Sequence, residues 1–146
     1  MSAVIDSHHD DHHHGPAKGF SRWLYTTNHK DIGSMYLWFS LVMLFIGGAM
    51  AMVIRAELFE PGSQIVSPEF YNQMVTNHGL IMVFGVIMPA FVGFANWMIP
   101  MQIGAPDMAL PRLNNLSFWI LPVAFGILLS TFFMEGGAPN FGWTFY

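Results

Sequence analysis

The chain has 146 residues, a formal net charge of −4 and no cysteine; 53% of its residues are apolar and 10% charged. A typical globular domain carries about 25% charged residues, so the deficit points to a membrane protein. The missing cysteines exclude disulfides, thiolate metal sites and cysteine nucleophiles, and no basic patch suggests nucleic acid.

In chain order, the first stretch is polar and acidic, with no apolar core after a basic start. No cleavable signal peptide is expected, and insertion falls to the spans themselves. Residues 1–19 include SHHDDHHHGPAKG, which groups five of the seven histidines with Asp6, Asp10 and Asp11. That composition suits either a transition-metal site or a solvated, disordered tail. The tail is the expectation, and no role is assigned to it. Phe20 to Asp31 mixes Trp23 and Tyr25 with Arg22, His29 and Lys30, a headgroup-zone composition. Thr26, Thr27 or Asn28 can cap the helix that follows.

Residues 32–54 carry no formal charge. At about 1.5 Å per residue they reach roughly 35 Å, enough for a first crossing. Gly33, Gly47 and Gly48 permit close helix contacts. Arg55 ends the run, and the loop LFEPGSQIVSPE follows with a turn at Pro61-Gly62. Glu57, Glu60 and Gln64 can offer oxygens to a hard cation, or simply make an acidic loop.

Residues 70–106 are again free of formal charge, with one histidine, His78, inside them. The run is too long for one level helix, so tilt or a kink near Pro89 and Gly93 is expected. Tyr71, Met74, His78, Met82, Gly85 and Pro89 make one helical stripe. An imidazole at membrane depth needs a partner. It can be an axial haem ligand in its neutral form, or a hydrogen-bonder to a neighbouring helix.

The link QIGAPDMALPRLNN then leads to a third uncharged run, residues 113–134, with Pro122 inside it. Asn96, Asp107 and Asn114 form a second polar cluster on the side of the link. An acid at the mouth of amide-lined helices can collect protons, or Asp107 and Asn114 can merely cap the third helix. The expected fold is all-α and membrane-spanning, with helices at about 32–57, 70–103 and 113–135 after a tail over 1–19. Lys18, Arg22 and Lys30 before the first span and Arg112 after the second place the N-terminus and the Asp107 link in the cytoplasm. The Pro61 loop and the Trp143 end then face outward. The final GWTFY has no polar tail after it, and the chain is expected to be the N-terminal portion of something longer.

The strings RWLYTTNHKDIG, VIRAEL, YNQMVTNHGLIMVF, GFANWMIPMQIGAPDMALPRLNNLSFW and GWTFY together cover roughly residues 20–146. In them the sequence resembles subunit I of haem-copper terminal oxidases, the cytochrome c oxidase type. The resemblance implies the first three helices of a larger, roughly twelve-helix bundle. It makes His78 one axial ligand of low-spin haem a, with Arg55 hydrogen-bonding the haem formyl group and Tyr71, Met82 and Trp143 lining the haem. Asp107 then resembles the entrance acid of the D proton pathway, with Asn96 and Asn114 as its asparagine constriction. Glu57, Glu60, Gly62 and Gln64 match an outer-face calcium or sodium site, Glu60 and Gly62 through backbone oxygens.

The full subunit of this family also holds haem a3 and copper B, whose ligands lie further along, so this fragment alone is not expected to be active. The implied activity is reduction of O2 to water by electrons from cytochrome c, coupled to proton pumping in a bacterial inner membrane. The implied partners are oxidase subunits II and III, cytochrome c and the lipid bilayer. The nearest alternatives are a quinol-type oxidase subunit I and a non-catalytic three-span binding or assembly protein.

Overall fold

The computed structural model describes residues 19–142 and 144, and every regular element among them is helical. The His-rich tail, Trp143 and the last two residues lie outside the described residues. A short helix α1 (Phe20–Tyr25) precedes α2 (His29–Glu57). Arg22 joins the two: its guanidinium donates to the Asp31 carboxylate at 2.9 Å while lying 5.5 Å from the centre of the Trp23 ring. Asn28 caps α2, its side-chain oxygen accepting from the Lys30 N–H at 2.8 Å.

The second apolar run folds as α3 (Pro68–Leu80), a π-helical segment (Ile81–Ile87) and α4 (Met88–Ile103), continuous over 36 residues. Ser67 caps its start by accepting from the Phe70 N–H, and Pro68 occupies the first turn, where no amide is needed. In the π segment the ladder widens, so that the Met88 N–H reaches back to the Val83 carbonyl. The departure from regular α geometry thus begins N-terminal to Pro89. At the far end Gly104 adopts φ 70°, and the Ala105 N–H closes on the Pro100 carbonyl at 2.9 Å. That is a Schellman closure, which favours glycine at the left-handed position.

Helix α5 (Pro111–Ser130) and a 3-10 turn (Thr131–Phe133) complete the described bundle. Three stretches are long and apolar enough to cross a membrane: His29–Glu57, Pro68–Ile103 and Pro111–Phe133, with mean hydropathies of 2.3, 2.0 and 2.0.

The core lies along α2. Met43, Met50, Met74, Ile81 and Phe125 form one cluster, and Ile32, Met35, Tyr36 and Phe118 another. Phe39 joins them edge-on, 5.6 Å from Phe125 and 6.3 Å from Phe118. The opposite face of α2 leaves Trp38, Phe45 and Met52 exposed, as suits a helix meeting lipid or further protein. Small residues set the distance between α2 and the second span. A Cβ on Gly33 would lie 2.9 Å from the Gly93 carbonyl oxygen, and one on Gly93 would lie 3.0 Å from that of Gly33.

Candidate functional site

His78 sits in the third turn of α3, half-buried against α2. Its Nδ1 lies 2.8 Å from the Gly47 carbonyl oxygen. A carbonyl only accepts, so Nδ1 carries the proton and the lone pair resides on Nε2. The bond orients the ring and leaves Nε2 as the nitrogen that can ligate a metal. Gly47 makes the approach possible. A Cβ there would stand 2.8 Å from the Met82 sulfur and 3.2 Å from Ile81. Met82 therefore packs one turn beyond His78 in the same slot.

Arg55 lies two turns past Gly47 on α2 and is exposed, with no hydrogen bond or ion pair among the described residues. Its fork is free to meet a polarised oxygen on a group lying along that face. The donor set therefore fits a haem: one imidazole with its Nε2 left to ligate, a thioether beside it and, two turns further along α2, an unengaged guanidinium.

Tyr71 lines an open cavity of about 510 Å³ together with Glu57, Glu60, Gly62 and Asn72. Gln64 does not line it. Its backbone N–H donates to Glu57 Oε1 at 2.8 Å and its side-chain amide donates to the Pro61 carbonyl at 3.3 Å. The buried Glu57 carboxylate accepts two further N–H groups through Oε2, from Ile65 at 2.8 Å and Val66 at 3.0 Å. Its foremost task in this structure is to fasten the loop. Glu60 and Gly62 face the cavity from the turn, where Gly62 takes φ 101°.

At the other end of the bundle Asn96, Asp107 and Asn114 come together. The Asn114 side chain donates to Asn96 Oδ1 at 2.6 Å, and Asn96 in turn donates to the Val92 carbonyl at 2.9 Å. Asp107 does not cap α5, whose N-cap position is Leu110 without a side-chain bond. Its Oδ1 accepts instead from the Met108 N–H at 2.8 Å and the His29 N–H at 3.3 Å. The carboxylate thus stands at the positive N-terminal end of α2.

Three further residues belong to this cluster. Buried His29 places Nδ1 2.8 Å from the Asn96 carbonyl, which makes it the hinge between Asp107 and Asn96. Ser117 donates to the Asn114 carbonyl at 2.6 Å, and the Tyr36 hydroxyl lies 2.9 Å from Ser117 Oγ. Polar groups therefore run from Asp107 through His29, Asn96, Asn114 and Ser117 to Tyr36. Tyr36 and Ser117 open on an apolar cavity of about 460 Å³ between the second span and α5. In sequence His29 is visible only as an interfacial residue. Tyr36 and Ser117 give no signal there apart from being polar in apolar runs.

Comparison with known proteins decides the kinship. The profile of the family described as "Cytochrome C and Quinol oxidase polypeptide I" matches residues 31–146. The chain belongs to this family. Among its relatives, the "Cytochrome c oxidase subunit 1" of Corynebacterium diphtheriae is 49% identical over 134 residues, covering 90% of this chain and 24% of that protein. The "Probable cytochrome c oxidase subunit 1-alpha" of Streptomyces coelicolor is 48% identical over 131 residues, 90% of this chain and 23% of that protein. The "Heme-copper oxidase subunit I+III" of Aeropyrum pernix is 47% identical over 125 residues, 86% of this chain and 15% of that protein. The chain thus spans about a quarter or less of the length of these oxidase relatives. Haem and copper belong to the oxidase family in general, and three membrane-length helices agree with a multi-pass subunit of a multi-subunit complex.

Proposed function

We propose that this chain forms part of the catalytic subunit of a cytochrome c oxidase, which reduces O2 to water with electrons from cytochrome c and pumps protons. The observation that carries the proposal is the 2.8 Å bond from His78 to the Gly47 carbonyl, because it leaves Nε2 as the ligating nitrogen. His78 would supply Nε2 to the iron of haem a, with Met82 beside it in the same slot. Arg55 would meet the formyl oxygen, and Tyr71 would line an edge of the haem. When bound, the haem supplies one-electron transfer, which no side chain here can perform. The chain's own work is to fix the imidazole tautomer and place a positive charge beside the macrocycle.

Asp107 collects protons at the cytoplasmic surface. His29 and the Asn96–Asn114 pair narrow the route, and Ser117 and Tyr36 carry the polar line toward the membrane interior. Glu60 and Gly62, with Glu57 and Gln64 shaping the turn, hold a calcium or sodium ion at the outer face. Haem a3 and copper B are held by the remainder of the subunit, and subunits II and III complete the complex. The enzyme resides in a bacterial inner membrane with its N-terminus cytoplasmic, in line with the basic residues flanking the first span.

His78→Ala in the full-length subunit tests the central assignment. The low-spin haem absorption is expected to vanish; an unchanged spectrum would end it. A quinol-type oxidase is the second reading, since the family profile spans both. The relatives' names favour cytochrome c. Oxidation of reduced cytochrome c by the purified complex, without added quinol, separates the two.

A further inference from the structure

The antiparallel packing of α2 on the second span contains a one-residue mismatch. At the inner level, a Cβ on Gly33 would meet Asn96 at 3.3 Å and Trp97 at 3.0 Å. At the outer level, a Cβ on Gly47 would meet Ile81 at 3.2 Å and Met82 at 2.8 Å. Gly33 to Gly47 is fourteen residues on α2, two whole heptads. Asn96 to Ile81 is fifteen residues on the second span, and so is Trp97 to Met82. The second span therefore uses one residue more than α2 to cover the same seam. The surplus falls within residues 82–96, and the π-helical segment Ile81–Ile87 is where the ladder takes up an added residue.

Two hydrogen bonds hold the seam, one before the π segment and one within it. The His78 ring bonds the Gly47 carbonyl at 2.8 Å, and the buried Ser40 hydroxyl donates to the Val86 carbonyl at 2.8 Å. Ser40 and Gly47 are seven residues apart on α2, whereas Val86 and His78 are eight apart. The same single-residue surplus recurs in this independent pair. Gly85 packs into the bend, where a Cβ would stand 3.0 Å from Phe125 and 3.3 Å from the Met43 Cβ. A helical residue turns about 100° about the axis, so a regular α-helix would swing His78 out of the slot when Asn96 sat in its own.

We propose that the π segment, pinned by Ser40 on Val86, is the register device that aims His78 at Gly47 while Asn96 keeps its place at the proton-entry cluster. Ser40 is thus a positioning residue for the axial ligand. The proposal rests on the reading of His78 as a haem ligand.

Deletions in the full-length oxidase subunit test it. Deleting Val83 alone removes the surplus, so a regular α-helix sets fourteen residues against fourteen and the low-spin haem band is expected to remain. Deleting Val83 and Phe84 together leaves the span one residue short, brings Asn77 opposite Gly47 and turns His78 away, so the band is expected to be lost. Combining the double deletion with Asn77→His and His78→Asn returns an imidazole to the slot, and at least half of the band is expected to recover. A double deletion that keeps the band, a single deletion that assembles and loses it, or a combined variant that never regains it overturns the proposal. If the deletions block assembly, Ser40→Ala and Ser40→Thr decide. Ser40→Ala is expected to shift the haem band and to speed amide exchange several-fold over residues 86–92, and Ser40→Thr is expected to reverse both. Faster exchange with an unmoved band makes Ser40 merely structural and overturns its positioning role. His78→Ala alone separates the two ideas. Loss of the band in that variant, with retention in the double deletion, sinks only the register proposal, while retention in His78→Ala sinks the ligand assignment itself.

Discussion

Single atoms decide most of the chemistry in this chain. Gly47 offers a carbonyl to His78 only because it has no side chain, and the nearest obstacle to one is the flexible end of Met82. Gly47→Ala is therefore expected to be tolerated with a small shift, while Gly47→Val overpacks the slot and costs about 1–3 kcal/mol. Thermal loss of the low-spin haem band in the full enzyme checks this, and equal midpoints for Gly47→Val and the parent would refute it. Asp107 admits a cleaner test. An asparagine keeps an oxygen to accept from Met108 and His29 but loses the charge. Asp107→Asn should leave the melting temperature unchanged and slow proton uptake at least about tenfold, consistent with removal of an acid–base group. Normal turnover and normal pumping in that variant would remove the proton-entry role.

Elements impose the next constraint, because each site is shared between helices or between a helix and a loop. The loop after α2 is fastened by one carboxylate, Glu57, to three consecutive amides at Gln64, Ile65 and Val66. Glu57→Ala frees all three at once, and Glu57→Gln keeps some acceptor capacity. Amide exchange at those three residues is expected to accelerate strongly in Glu57→Ala and less in Glu57→Gln; equal rates would show that the loop is held by something else. By contrast the Arg22–Asp31 pair between α1 and α2 is solvent-exposed on the arginine side. Arg22→Ala should cost no more than about 1 kcal/mol.

The three apolar runs are readable in sequence because uncharged stretches as long as residues 32–54, 70–106 and 113–134 match the thickness of a bilayer and little else. The stripe through His78 and Met82 is readable too, since helical spacing is local. The π segment is not. IMVFGVI carries no proline and one glycine, and the added residue shows only when the second span is set against α2. His29 escapes likewise, because its partners Asn96 and Asp107 lie 67 and 78 residues away in sequence. Asp107 and Asn114 are identifiable as polar residues, but their choice between capping α5 and joining a polar line is fixed by tertiary contacts alone.

Across the whole molecule, the two polar clusters occupy opposite ends of one bundle, with an apolar middle between them. His78 and the Glu57 loop lie toward one end, and Asp107, His29 and Asn96 toward the other. These 146 residues contain no cysteine, so a single cysteine introduced among them, read against the unsubstituted protein, reports topology. In sealed vesicles of known sidedness, Ser63→Cys is expected to label from the periplasmic face only and Met108→Cys from the cytoplasmic face only. The reverse pattern would invert the proposed orientation and separate Asp107 from the cytoplasmic proton supply. The abundant exposed apolar surface on α2 and α5, including Trp38, Phe45, Ile120 and Ile127, fits a bundle that continues into further helices or lipid.

The crossing of Gly33 over Gly93 has a consequence for how such a gene can drift. Backbone meets backbone there, with each carbonyl oxygen within 3.0 Å of where the other residue would carry a Cβ. Every nucleotide change that replaces a glycine codon with another amino acid adds at least that carbon. No missense neighbour of either codon is neutral, and the two sites cannot exchange roles by compensating for each other, since enlarging one never makes room at the other. Evolution is left to explore the outer flanks of these helices while this crossing stays frozen.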